Sequence, residues 1–153
     1  MHGKFESRHP LIGLSDELIR LNGRMKVLFA GTRRSEGLSD SESSVLNAVV
    51  EAERPPTVPQ IGRSFGQPRQ VVQRAANSLI EMGLIGSLPN PDHKRAVLLT
   101  PTDAGIALKR EFDARAEAVA EDIGSGVDHE TIRAAIVALR TIRQQLEAQL
   151  RNR

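Results

Sequence analysis

The feature that most limits the fold of this chain is a pair of short helical segments that meet at one glycine. Thr57 and Gln60 have the spacing of a capping box, in which each side chain satisfies a free backbone N–H at a helix start. This first segment ends at Gly66, and Pro68 is preset for the first position of a second helix. The second helix is predicted to run to Gly83, where glycine can take the left-handed conformation that closes a helix. Two short helices joined by a tight glycine turn form a helix-turn-helix pattern.

The second helix of this pair has two chemically different faces. Advancing 100° per residue from Pro68 places the apolar side chains on one arc, centred near Leu79. That arc holds Val71, Val72, Ala75, Ala76, Leu79 and Met82. The opposite arc holds Arg69, Gln70, Gln73, Arg74 and Asn77. Because arginine, glutamine and asparagine can form paired hydrogen bonds with guanine and adenine in the major groove, the polar arc favours a DNA-recognition helix. The alternative is a solvated amphipathic helix whose polar face lacks acids.

A β-hairpin is predicted directly after this helix. The runs LIGSLP and AVLLTP are rich in strand formers, and the turn-rich segment NPDHKR separates them. His93, Lys94 and Arg95 would project from the tip, and an arginine on a narrow loop can enter the negative potential of a narrow minor groove. A charge-assisted bond from Asp92 would orient Arg95. Taken alone, a basic tip has a second interpretation as a solvated turn.

Amphipathic helices are predicted on both sides of the helix-turn-helix and hairpin. Leucines and other apolar residues at spacings of three and four mark a helix from about residue 11 to 32, for which Ser15 is an alternative cap. Ser39 and Glu42 form a capping box at the start of a helix that ends before Pro55. Glu42, Glu51 and Glu53 are interpreted as a solvated acidic surface.

The last two helices are predicted to begin at Thr102 and Asp128, which have cap-forming side chains. The final helix carries an apolar stripe over about five turns. The stripe consists of Ile132, Ile136, Leu139, Ile142, Leu146 and Leu150. Since little of the chain is left to cover this stripe, a partner subunit is the expected cover.

In order and spacing, these features resemble the MarR family of bacterial winged-helix regulators. The resemblance runs from about Leu11 to the C-terminus and is strongest in TVPQIGRSFGQPRQVVQRAANSLIEMGLI and NPDHKRAVLLTPTDAG. It implies a mainly α fold with a small β-hairpin wing. A winged helix-turn-helix domain over residues 38–101 would be flanked by dimerisation helices over 11–34 and 102–151. It also implies a homodimer that binds a pseudo-palindromic operator in double-stranded promoter DNA, as a repressor released by a small-molecule effector.

The resemblance, together with the two faces described above, names the expected site residues. The expected DNA-binding residues are Gln67, Arg69, Gln70, Gln73, Arg74, Asn77, His93, Lys94 and Arg95. Met25, Phe29 and Phe112 are candidates to line an effector crevice, with plain core packing as the alternative. The chain departs from the family where His93 takes the usual place of the wing acid, with Asp92 one residue early. It departs again at Pro101, where leucine is common, and at QPR, where serine often caps the helix.

Composition excludes several other classes of protein. Without cysteine, thiol catalysis, thiol redox sensing and cysteine-ligated metals are excluded. Aromatic residues make up 3% of the chain, with no Trp or Tyr, which argues against single-strand binding by base stacking. A net charge of +2 is too small to identify a nucleic-acid partner, so the distribution of charge must decide.

No motif for catalysis, a metal or a cofactor is found. The histidines show no paired helical spacing, and the glycines form no phosphate-binding loop. A non-enzymatic protein without a cofactor or metal is therefore expected. The absence of a long apolar run or a signal peptide predicts a cytoplasmic protein without membrane partners. Two rival hypotheses remain: a winged helix that binds only protein, and an enzyme whose site the sequence does not reveal.

Overall fold

A computed structural model describes residues 8–34 and 37–153 of the chain. The described part is mainly helical with one two-stranded hairpin, which confirms the predicted fold class. The elements are α1 (Pro10–Leu28), α2 (Ala30–Arg34), α3 (Asp40–Glu51), α4 (Val58–Phe65), α5 (Arg69–Glu81), β1 (Ile85–Leu88), β2 (Leu98–Pro101), α6 (Asp103–Ile123), a 3-10 turn (Gly124–Gly126) and α7 (His129–Arg151). Two compact units divide within α6, after Glu117.

Several helices begin where the sequence predicts. The Glu42 carboxylate accepts from the Ser39 backbone N–H at 2.9 Å, and the Glu42 N–H donates to the Ser39 hydroxyl at 3.2 Å. Thr57 and Gln60 form the same reciprocal pair at the start of α4. At the start of α7, Asp128 accepts from the backbone of the first turn. These local bonds satisfy donors that a helix start otherwise leaves free, so short sequence signals are enough to place each boundary.

The N-terminal helix differs from the expectation. The single helix predicted over residues 11–32 is wrong, because α1 ends at Leu28 and α2 begins at Ala30. At the break, both the hydroxyl and the backbone N–H of Thr32 donate to the Phe29 carbonyl, which closes a turn there instead of a continuing helix. The cap of α1 is His9 rather than Ser15, since the His9 Nδ1 accepts from the Leu11 N–H at 3.2 Å.

The first unit has a hydrophobic core built mainly from α3, α4, α5 and the hairpin. Its buried members are Val45, Leu46, Val49, Val58, Ile61, Val72, Ala75, Ala76, Leu79, Ile85, Leu99 and Phe112. The strands pair antiparallel, with Ile85 opposite Pro101 and Leu88 opposite Leu98. The Leu99 N–H also donates to the Pro56 carbonyl at 2.8 Å, which ties the hairpin to the segment before α4. This core fixes the positions of α5 and the wing.

Two glycines are required by the geometry of this unit. Gly66 has a φ of 62° between α4 and α5, a left-handed conformation that costs glycine little. Gly105 lies where α6 approaches the start of the hairpin, and a Cβ there would stand 1.9 Å from the Leu84 carbonyl oxygen. Beside it, the Thr102 hydroxyl donates to the Gly83 carbonyl at 2.7 Å and accepts from the Gly105 N–H. Thr102 and Gly105, three residues apart at the start of α6, therefore allow this helix to pack closely against the start of the hairpin.

The first and last long helices bury little of their own surface. Neither α1 nor α7 has a buried residue, and the apolar stripe of each faces solvent for much of its length. Ile136 is 48% exposed and Leu146 is 41% exposed. Across the described residues, no helix combines the length and the apolar content that a membrane span requires.

Candidate nucleic-acid interface

The helix α5 presents the predicted polar face to solvent. Its rear side chains Val72, Ala75, Ala76 and Leu79 are buried against the core, and Val71 is half-buried. Arg69, Gln70, Gln73, Arg74 and Asn77 are all exposed, whereas Gln67, in the turn before the helix, is half-buried. The two alanines leave space for α5 to lie close to its neighbours, so the polar face is held outward by packing behind it.

The exposed face of α5 carries unneutralised positive charge. It contains two guanidinium groups, and its first acid is Glu81, the last residue of the helix. Within the described ranges, neither Arg69 nor Arg74 takes part in an ion pair. Both groups therefore keep all their donors available for an external acceptor, such as a phosphate or a base edge.

One hydrogen bond on this face was not anticipated from the sequence. The Gln73 Nε2 donates to the Asn77 Oδ1 at 2.9 Å, across one turn of the helix. The spacing of four residues that brings these amides together is visible in the sequence, and it could have revealed the pair.

The wing tip is ordered by its own local hydrogen bonds. Asp92 donates its backbone N–H to the Asn90 side chain at 3.0 Å, and the Arg95 N–H donates to the His93 Nδ1 at 3.3 Å. The expected charge-assisted bond from Asp92 to Arg95 is absent, since no ion pair joins them in the described part of the chain. His93 supplies an acceptor for the turn instead, and His93, Lys94 and Arg95 are exposed.

The acidic surface predicted near α3 has a more specific structure than expected. Glu51 contacts the buried ammonium of Lys109 at 3.2 Å, and Asp113 lies within 2.6 Å of the same nitrogen. Burial by itself lowers the pKa of Lys109, but the hydrogen bonds that its ammonium donates to Asp113 and Glu51 outweigh this and leave the pKa raised. Lys109 is therefore a charged link between α3 and α6, and Glu51 is more than a solvated acid.

The candidate effector residues lie in different environments. Phe112 is 8% exposed and belongs to the hydrophobic core, as the packing alternative requires. Met25 is exposed on α1, and Phe29 is half-buried at the break before α2. Over the same described residues, no group of three acidic, histidine or cysteine side chains is arranged to hold a metal ion.

Comparisons with known proteins support the winged-helix fold. A model of the MarR family matches residues 36–96. The chain is 34% identical to an uncharacterized protein of Mycobacterium tuberculosis over 143 aligned residues. This alignment covers 89% of the present chain and 99% of the relative. The chain therefore belongs to the MarR family, and it has the winged-helix fold of that family's transcription regulators.

Two solved structures illustrate the shared fold. A MarR-family regulator from Rhodococcus sp. RHA1 superposes with a TM-score of 0.75, at 20% identity, over 90% of this chain and 96% of its own. BpsR of Bordetella bronchiseptica superposes with a TM-score of 0.68, at 22% identity, over 85% and 98% respectively. The structure of BpsR concerns the regulation of its DNA binding by 6-hydroxynicotinic acid.

Proposed function

We propose that this protein is a homodimeric, sequence-specific regulator that binds a pseudo-palindromic operator in double-stranded promoter DNA. The observation that carries the proposal is the exposed face of α5, which joins two unpaired arginines to three amides and is fixed by a buried apolar back. Such a face can form hydrogen bonds to base edges in the major groove. The exposed Lys94 and Arg95 of the wing would contact the adjacent minor groove or backbone.

Dimerisation would supply the second recognition helix. The stripes of α1 and α7 leave apolar side chains in water, and a second copy of the chain would cover them. Residues 11–34 and 102–151 are the proposed dimerisation segments, and residues 38–101 form the proposed DNA-binding domain. In the dimer, the two α5 helices would be about 34 Å apart, the length of one turn of DNA. This spacing matches two half-sites on one side of the duplex.

Regulation by a small molecule is proposed on family grounds. BpsR is regulated in its DNA binding by 6-hydroxynicotinic acid. An apolar or anionic effector near Met25 and Phe29 would change the separation of the two recognition helices and lower operator affinity. In this scheme the protein is a cytoplasmic repressor, and it is released from DNA when the effector binds.

The salt dependence of duplex binding tests the proposal. Fluorescence anisotropy with a selected duplex should give a steep fall of log K with log salt, because phosphate contacts release counterions. Arg95→Ala should weaken binding at every site and reduce that slope by about 1, whereas Gln73→Ala should change the preference among operators. Arg153→Ala removes the same charge from the last residue of the chain and should leave the slope unchanged.

The alternative is a winged helix that binds a protein through the same polar face. A shallow salt slope, with affinities that do not distinguish one duplex from another, would support that alternative over DNA recognition. Unchanged duplex affinity in both Arg95→Ala and Gln73→Ala would show that neither the wing nor α5 lies in a groove. The variants alter exposed side chains, so their folding can be confirmed by circular dichroism before binding is measured.

A further inference from the structure

The amide pair on α5 restricts the way in which Gln73 can meet a base. A free glutamine amide rotates, so it can present its oxygen or its nitrogen to the same point in space. Here the Gln73 Nε2 donates to the Asn77 Oδ1 at 2.9 Å, and both side chains stay exposed. The bond uses one of the two hydrogens on Nε2 and sets the direction of the Gln73 amide while Asn77 presents its oxygen.

What remains on Gln73 is one donor and one acceptor in a fixed order. No described residue donates to the Oε1, and the second hydrogen of Nε2 is available. In the major groove, adenine shows an N6 donor beside an N7 acceptor, which complements this pair. Guanine shows two acceptors, O6 and N7, so its O6 would face the Gln73 oxygen. Thymine and cytosine each offer only a single partner.

We propose that Gln73 selects adenine at one position of each operator half-site, and that Asn77 is the positioning residue that fixes its amide for this purpose. The proposal rests on the DNA-binding function proposed above and adds the identity of one base. A two-bond contact of this kind gives about 5- to 150-fold discrimination against other bases. Loss of the hydrogen bond that Gln73 donates to Asn77 should reduce that preference by about fivefold, the equivalent of one ordinary hydrogen bond.

The base position is defined by experiment. Full-length protein is used to select duplexes from a library with a randomised half-site, and the bound pool is sequenced. The position at which Gln73→Ala removes the preference of the wild-type protein is the one that Gln73 contacts. Four duplexes that differ only at this base pair are then titrated by anisotropy at one salt concentration. Adenine is expected to bind most tightly, and Gln73→Glu should shift the preference to cytosine, whose N4 donates to a carboxylate.

Two substitutions at Asn77 separate positioning from a general effect on affinity. Asn77→Ala removes the acceptor, so the ratio of the affinity for adenine to that for the other bases should fall about fivefold at the same base position. Asn77→Asp keeps an acceptor that cannot donate, so Gln73 must still direct Nε2 toward it. This variant should bind all four duplexes more weakly, because its charge repels phosphate, yet keep the preference for adenine.

The outcomes distinguish this inference from the function on which it rests. If the selected position carries guanine, cytosine or thymine, or if Asn77→Ala leaves the preference for adenine intact, the positioning role is overturned while DNA binding stands. A loss of preference in Asn77→Asp equal to that in Asn77→Ala would also overturn it. If the wild-type protein enriches no duplex at all, the DNA-binding proposal itself fails, and the base assignment fails with it.

Discussion

The core of the first unit and the stripe of α7 contain similar residues but use them differently. In the core, Leu46 and Leu79 are fully buried by neighbours from their own chain. In α7, leucines and isoleucines follow an equally regular pattern, yet no residue is buried. Burial of apolar surface is the main favourable term in folding, so the core stabilises its unit directly. The apolar stripe on α7 can stabilise the protein to the same degree only when another surface buries it.

The largest effect is expected from a charge placed on the α7 stripe. Ile136→Asp would bury an unpaired carboxylate in the proposed dimer interface, and the dissociation constant of the dimer should rise at least roughly 100-fold. Sedimentation equilibrium of the purified protein measures this directly as a shift from two chains to one.

A matched control lies next to Ile136 on the same helix. Val137 points about 100° away from Ile136 around the helix and is 62% exposed. Val137→Asp introduces the same charge and a similar helix-propensity cost, but the dimer should persist. If both variants remain dimeric, or if both dissociate equally, the stripe is not the dimer interface.

The next effect concerns the close approach at Gly105. In Gly105→Ala, the new Cβ would lie 1.9 Å from the Leu84 carbonyl oxygen, a backbone atom that cannot move without displacing the hairpin. We expect a loss of roughly 1–3 kcal/mol in the free energy of unfolding, measured with urea. Gly23→Ala on α1 adds a Cβ that meets no atom within 4 Å, so it should stabilise by roughly 0.5–1 kcal/mol. Losses of equal size in the two variants would contradict a packing origin.

Most of the fold of the first unit was predictable because its signals are local. Ser39 with Glu42, and Thr57 with Gln60, satisfy donors within three residues, so spacing in the sequence is sufficient evidence for them. The break after Leu28 was missed because it depends on Thr32 bonding to a carbonyl, a competition that apolar periodicity does not show.

In the candidate site too, features set by local sequence were predictable, whereas features that depend on the tertiary fold or on loop conformation were not. The two arcs of α5 follow from helical geometry, and the structure exposes the polar arc and buries most of the apolar arc as the sequence predicts. Met82 differs, because it lies just past the end of the helix and is 48% exposed. The contact of Lys109 with Glu51 joins residues 58 positions apart, so it depends on the tertiary fold. The wing bond from the Arg95 N–H to His93 depends on a loop conformation that turn composition does not specify. DNA contact by either region remains a prediction.

A smaller effect is expected from a buried hydroxyl in the core of the first unit. Among the residues that the structure describes, the buried Ser43 Oγ finds no hydrogen-bond partner, and its removal ends the desolvation penalty of that group. Ser44 is the matched control, since its hydroxyl donates to the Asp40 carbonyl at 2.9 Å and both serines lie in α3. Ser43→Ala should exceed Ser44→Ala in stability by about 1 kcal/mol in urea unfolding. Equal stabilities would indicate that the Ser43 hydroxyl is satisfied in solution.

The smallest effect comes from pH at the helix caps of the two regions. The hydrogen bond from the Ser39 backbone lowers the pKa of Glu42 below its ordinary value of 4.5. The ionised carboxylate therefore stabilises the fold above about pH 4.5, and this contribution is lost as the pH falls through the lower, folded-state pKa. Glu42→Gln keeps a cap bond at all pH values. Its stability relative to wild type should rise by less than about 1 kcal/mol on acidification, because Glu42 is only half-buried and solvent screens its charge.

Asp128, the cap of α7, is the counterpart of Glu42 in the region that buries little of its own surface. The Thr131 side chain and the backbone of the first turn lower the pKa of Asp128, so this cap also weakens in acid. In the Ile136→Asp background, in which α7 is expected to lose the proposed partner subunit, Asp128→Asn should alter only amide hydrogen exchange in the first turn of α7. Glu42→Gln should instead shift the urea midpoint of the whole first unit. If Asp128→Asn shifted that midpoint as much as Glu42→Gln, α7 would be stabilised by its own chain, and the contrast between the two regions would be wrong.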